Sequence, residues 1–172
     1  MTSAPSCGAG KLGRMTRTPL PVGATAPDFT LTDQFGGPVR LRDFAGAKSV
    51  LVVFYPFAFS GICTGELGTI RDDLGAFESK EVQVLTVSCD PMFSHRAWAD
   101  QEGYFFPLLS DFWPHGEVAR AFGVFDEERG MANRGSFLID PDGRIVWTEV
   151  TNPGTARDFA GYRQALERAV SA

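Results

Sequence analysis

The segment Pro56-Phe57-Ala58-Phe59-Ser60-Gly61-Ile62-Cys63-Thr64-Gly65-Glu66 carries the residue types with most chemistry to offer. It follows a continuous apolar run, Ser49 to Tyr55, and precedes a stretch where Leu67, Ile70, Leu74 and Phe77 recur at helical spacing. A strand therefore ends at Pro56, a helix begins near Gly61, and Cys63 falls in the first turn of that helix. Backbone N–H groups there have no intrahelical partner, and the helix dipole favours negative charge. The thiolate is the nucleophilic form of cysteine, so this is a place where a reactive sulfur is expected. A small buried hydrophobe, a common role for free cysteine, fits the same position equally well.

Neighbouring residues also carry two readings. Ser60 is either an N-cap closing a free N–H of the helix start or a hydroxyl aimed at a substrate oxygen. Pro56 is either only the terminator of the strand or also a ring that removes a donor and shields the sulfur from water. Glu66 lies one helical turn after Cys63. It is either a bridge to an arginine or a first-turn acid on the helix dipole.

The surrounding pattern is that of an α/β protein. Phe29, Leu31, Val39 and Leu41 alternate around Gln34-Phe35-Gly36-Gly37-Pro38, which predicts an N-terminal β-hairpin. Ser49–Tyr55 and Val82–Ser88 read as strands buried on both faces. With the helix between them, whose apolar face is Leu67, Ile70, Leu74 and Phe77, they form a βαβ unit. A helix over Ser94–Glu102, capped near Asp90 or Ser94, follows. A short strand over Phe106–Leu109 and a short helix over Glu117–Phe122 come next. Gly135–Ile139 and Arg144–Val150 flank the turn Asp140-Pro141-Asp142-Gly143 as a second hairpin. Phe159, Tyr162, Leu166 and Val170 predict a closing helix over Ala156–Val170. A central mixed sheet with helices on both faces accommodates this order.

The chain has 172 residues, one domain by length, and a net charge of −5. No basic stripe is present, so neither nucleic acid nor an anionic membrane is expected as a partner. The uncharged stretch from Ser49 to Gly65 contains Pro56 and Gly61 and reads as a strand with its exit loop, not as a membrane span. Residues 1–18 read as a polar, basic tail before a domain at 19–172, and Met15 is a candidate start. The tail has no apolar core of a secretory signal, and three cysteines are too few for a disulfide scaffold, so a cytoplasmic location is expected.

The motif Pro56-x-x-x-Ser60-x-x-Cys63 resembles the active-site signature of the peroxiredoxins. Val22-Gly23-Ala24-Thr25-Ala26-Pro27-Asp28-Phe29 is similar to that family's opening. Val87-Ser88-Cys89-Asp90, Ser94-His95-Arg96-Ala97-Trp98, Phe106 to Asp111 and Arg134 to Asp140 also resemble family segments, so the likeness runs from Val22 to the C-terminus. Within the family, Gly61 to Leu67 and Phe112-Trp113-Pro114-His115-Gly116 look most like the one-cysteine alkyl hydroperoxidase E subgroup.

The resemblance implies a thioredoxin-like fold and a thiol-dependent peroxidase acting on hydrogen peroxide or organic hydroperoxides. It implies no cofactor, since the reacting atom is the protein's own sulfur. Cys63 matches the peroxidatic cysteine and Arg134 the active-site arginine, with Ser60 and Pro56 completing the signature and Glu66 in support. The Cys63 thiolate is expected to become a sulfenic acid that a second thiol then attacks. Gly68 stands where some peroxiredoxins place a resolving cysteine, and no cysteine follows Cys89. Cys89, at the end of a strand, is a candidate resolving thiol, with a buried structural cysteine as the favoured reading. An external low-molecular-weight thiol or a redoxin is therefore the expected reductant. A homodimer is implied by the resemblance alone. The alternative function is a peroxide-sensing or chaperone-like binding protein on the same fold. His95 and His115 lack the partners of a Cys–His hydrolase, and the cysteine spacings make no zinc site. Fifteen phenylalanines, two of them flanking Ala58, lead to the expectation of a partly apolar pocket that takes alkyl hydroperoxides alongside hydrogen peroxide.

Overall fold

The computed structural model describes residues 18–79 and 81–171. Cys7, Met15 and all but the last residue of the expected tail lie outside the described residues. Strands β1 (Thr30–Thr32), β2 (Pro38–Arg40), β3 (Ser49–Phe54), β4 (Val82–Ser88), β5 (Leu108–Ser110), β8 (Arg134–Ile139) and β9 (Ile145–Thr151) make one sheet in the order β2-β1-β5-β4-β3-β8-β9. Pairs β3–β4 and β4–β5 are parallel, while β8 runs antiparallel to β3. Helices α1 (Gly61–Asp72), α2 (Leu74–Phe77), α3 (Met92–Glu102), α4 (Glu117–Ala121) and α5 (Phe159–Ser171) complete the chain, with a short 3-10 turn at Leu41–Phe44.

The apolar run of β3 is continuous because both of its faces are covered. Leu51, Val53 and Tyr55 point into a core shared with Leu67, Ile70, Phe77, Trp98, Tyr162 and Leu166, from α1, α2, α3 and α5. Val50, Val52 and Phe54 point the other way, against Val118, Phe122, Val124 and Phe137 beneath α4. All six β3 residues are buried. Truncating a core leucine such as Leu67 to alanine would cost about 2–5 kcal/mol.

The N-terminal hairpin forms as expected, its turn held by Asp33, whose carboxylate accepts the Phe35 and Gly37 amides. Gln34 is not merely a turn residue. It is buried, and its amide group donates to the Phe106 carbonyl and accepts the Leu108 amide, tying the hairpin to β5.

Several boundaries differ from expectation. The helix expected to continue through Phe77 breaks at Asp73, whose φ of −120° leaves the helical region, so Leu74–Phe77 forms a separate turn. The apolar spacing persists across the break because Phe77 still packs on Phe159 and Tyr162. Helix α3 starts at Met92 with Pro91 at the N-cap, not Asp90 or Ser94. Asp90 does not cap because its carboxylate is engaged elsewhere, as described below. The strand expected over Phe106–Leu109 sits two residues later at its start, at Leu108–Ser110, and the closing helix begins at Phe159, three residues after Ala156. A small hairpin, β6 (Phe125–Asp126) with β7 (Met131–Ala132), has too little alternation to be read from sequence. Gly123 ends α4 with φ +75°, and a Cβ there would lie 2.2 Å from the Thr18 carbonyl oxygen, so both backbone and space require glycine.

Candidate active site

The site forms where the carboxyl end of β3 meets the start of α1, the end of a sheet at which α/β proteins gather ligands. Ser60 is the N-cap, and its hydroxyl oxygen accepts the Cys63 amide at 3.4 Å. Cys63 is the third residue of the helix and fully buried. Pro56, also buried, closes the strand side of the loop.

Arg134 arrives from a different part of the chain. Because β8 is antiparallel to β3, the first residue of β8 lies beside the last residues of β3. Arg134 shares its side of the strand with Ser136 and Leu138, the side that faces α1 and α5. Its Nη1 lies 3.3 Å from the Cys63 sulfur and 2.6 Å from Glu66 Oε2, and its Nε donates to the Pro153 carbonyl at 2.9 Å. The guanidinium is thus fixed from three directions.

Glu66 is the hub. Both its arginine partners are buried, as is Glu66 itself. Arg134 and the Arg157 guanidinium donate to Oε2, while the Arg157 backbone amide donates to Oε1 at 2.8 Å. Arg157 also donates to the Phe54 carbonyl at the end of β3. The structure therefore brings Pro56, Ser60, Cys63, Glu66 and Arg134 together, and the bridging reading of Glu66 is the geometry observed. Arg157 is a further site residue that sequence reasoning missed. A signal existed: Cys63, Glu66 and Ile70 share the inward face of α1, so Glu66 had to find buried cations. Which arginines supply them is a matter of contacts 68 and 91 residues away in sequence.

Cys89 stands apart. Leu85 and Val87 of β4 belong to the core beneath α4, and Cys89 continues that row beside Asp111, Arg120 and Ala132. Cys63 lies in the core on the other face of the sheet. Burial, with Asp111 and Asp90 adding to it, pushes the Cys89 thiol up to about 12, where it stays protonated. His95 is buried within reach of Tyr55 and Ser88, and His115 contacts the Phe112 and Gly130 carbonyls. Neither has Cys63 among these partners.

Residues 22–148 match the AhpC/TSA family model. The chain belongs to the AhpC/TSA family, the peroxiredoxins. It is 53% identical over 147 residues to alkyl hydroperoxide reductase E of Mycobacterium tuberculosis, covering 86% of this chain and 96% of that protein. It is 40% identical over 139 residues to a selenocysteine-containing peroxiredoxin of Peptoclostridium acidaminophilum, covering 75% and 67% of the two chains. Among solved structures, the AhpC of Enterococcus faecalis superposes with a TM-score of 0.78 at 33% identity, covering 87% of this chain and 92% of that one. The fold is the thioredoxin-like α/β sheet of this family, and thiol-dependent reduction of hydroperoxides is the activity that membership carries.

Proposed function

We propose that Cys63 is the peroxidatic sulfur and that Arg134, Ser60 and Pro56 form its immediate machinery. One observation carries the reading: a buried cysteine sulfur at a helix start lies 3.3 Å from an immobilised guanidinium. Charge balance supports it. Two buried guanidiniums, of Arg134 and Arg157, face a single carboxylate, Glu66, which offsets the charge of one. A Cys63 thiolate balances the other.

The thiolate attacks the terminal oxygen of the hydroperoxide in line with the O–O bond. A sulfur–oxygen bond forms, the O–O bond breaks, and the leaving alkoxide or hydroxide takes a proton to become alcohol or water. Cys63 is left as sulfenic acid. Arg134 and the N–H groups at the start of α1 stabilise the developing charge without having to reorganise. The thiol of an external reductant, a low-molecular-weight thiol or a redoxin, then attacks the sulfenic acid, expelling water and forming a mixed disulfide. A further thiol reduces that bond. The opposite-face position of Cys89 favours this external route.

Phe57, Phe59 and Ile62 are all more than a third exposed beside Cys63, which supports alkyl hydroperoxides as substrates alongside hydrogen peroxide. Trp113 and Phe93, 83% and 76% exposed, support a homodimer contact. A cytoplasmic site of action belongs to the same reading; among the described residues no helix is long and apolar enough to cross a membrane. Steady-state peroxide consumption with a dithiol reductant tests the assignment. Cys63→Ser is expected to lose it, and full activity in that variant would refute the role.

A further inference from the structure

A fully buried Cys63 and an external reductant are in tension. The sulfur must be uncovered before a thiol can reach it, and the loop from Pro56 to Ser60 leads directly into the helix turn that carries it. What holds that loop shut is visible beneath it. The Ala58 amide donates to Asp90 Oδ2 at 2.9 Å. The same oxygen accepts the Ser88 hydroxyl at 2.6 Å. Ser88 Oγ is in turn 2.7 Å from His95 Nε2, which lies 3.0 Å from the hydroxyl of Tyr55, the residue before Pro56. His95, Ser88 and Tyr55 are buried, and Asp90 is largely so.

The loop needs such a hold. Phe59 has a φ of +64°, a conformation that costs a bulky residue free energy and persists only when its surroundings enforce it. Its ring leans on Trp98 of α3, with centroids 6.0 Å apart. Asp90 precedes the same helix. The backbone of Ala58 is thus anchored to the β4–α3 junction, not to α1, which carries Cys63.

We propose that Asp90 is a positioning residue that clasps the active-site loop shut through the Ala58 amide and thereby sets how readily Cys63 is uncovered. The inference rests on the thiol-peroxidase reading above. Its direct contact with the loop is the Ala58 backbone amide. Ser88 and His95 hold the carboxylate in place from below. A tighter clasp keeps the sulfur enclosed against Arg134; a looser one presents it sooner to the reductant.

The test uses reduced full-length protein without peroxide, so its outcome is separate from whether Cys63 consumes peroxide. Hydrogen exchange of the Ala58 amide is measured together with iodoacetamide labelling of Cys63, read by peptide mass spectrometry. Losing a charge-assisted hydrogen bond makes the expected acceleration in Asp90→Ala about tenfold for both. Amides of β3 and β4 are expected to stay protected. Asp90→Asn keeps an oxygen acceptor in place and is expected to restore most of the protection, which a mere loss of stability would not explain. Should the alanine variant fail to fold, Asp90→Glu, with its acceptor displaced by one methylene, is expected to show the same acceleration in weaker form. Wild-type rates at Ala58 and Cys63 in whichever of these two variants folds would overturn the proposal. Peroxide oxidation of wild-type Cys63, run in parallel, reports on the peroxidase reading independently.

Discussion

Nη1 of Arg134 lies 3.3 Å from the sulfur of Cys63 while donating to Glu66 at 2.6 Å. One nitrogen therefore contacts both the proposed nucleophile and the carboxylate that holds the guanidinium. Lysine has no planar fork with which to keep the Pro153, Glu66 and Cys63 contacts together. Arg134→Lys is expected to slow the second-order oxidation of Cys63 by about 10²–10³-fold, the usual loss for one preorganised donor. Rapid-mixing kinetics check this, and a loss under threefold would remove Arg134 from the machinery.

Glu66 also bears on stability. Replacing it by alanine leaves two buried guanidiniums without their carboxylate. Breaking a buried ion pair by removing one partner costs about 3–5 kcal/mol. Denaturant unfolding of Glu66→Ala is expected to show a loss in that range. A change below about 1 kcal/mol would mean that water or another anion takes the place of the carboxylate.

His95 makes the fold sensitive to acid. Burial pulls its imidazole down to about 4, with Asp90 offsetting only part of that effect. An unfolded chain protonates this residue below about pH 6.5, whereas the folded protein resists until about pH 4. Its contribution is therefore complete above pH 6.5 and drains away as pH falls towards 4. The linkage is worth roughly 3 kcal/mol over that interval. His95→Gln, which has no such proton to refuse, is expected to gain on the wild type by about that amount between pH 6.5 and pH 4. Paired unfolding curves at several pH values measure it, and parallel curves would contradict it.

Cys89, with its thiol held up near 12 on the other face of the sheet, is expected to be a bystander. Cys89→Ser should leave turnover with an external thiol within about twofold, since it removes neither a nucleophile nor a resolving group. Non-reducing peptide maps after one equivalent of peroxide should contain no Cys63–Cys89 bridge. Finding that bridge as the main product would require the sheet to rearrange and would make the enzyme a two-cysteine one.

Legibility in the sequence followed the range of the interactions. Strands β3 and β4 and the first-turn position of Cys63 were readable because each depends on near neighbours, an unbroken apolar run and the turn residues that follow it, while Ser60 kept two readings until its hydroxyl was seen to accept the Cys63 amide. Breaks that depend on tertiary packing were not. Asp73 leaves the helix although the apolar spacing continues through Phe77, and Asp90 forgoes capping α3 to hold Ala58. Arg134 was found by resemblance to a family motif, not by physics, since nothing local marks a strand arginine as buried. The inward position of Glu66 called for a buried cation, but no motif marked Arg157, and only the fold brings it there.

The central claim is that the Cys63 sulfur reduces peroxide and waits for an external thiol. Stopped-flow titration of the reduced protein with hydroperoxide, followed by mass spectrometry of the Cys63 peptide, tests it most directly. The expected result is fast consumption of one equivalent and a sulfenic acid at Cys63 that persists until thiol is added. No fast phase, or oxidation distributed over other residues with Cys63 untouched, would contradict the account.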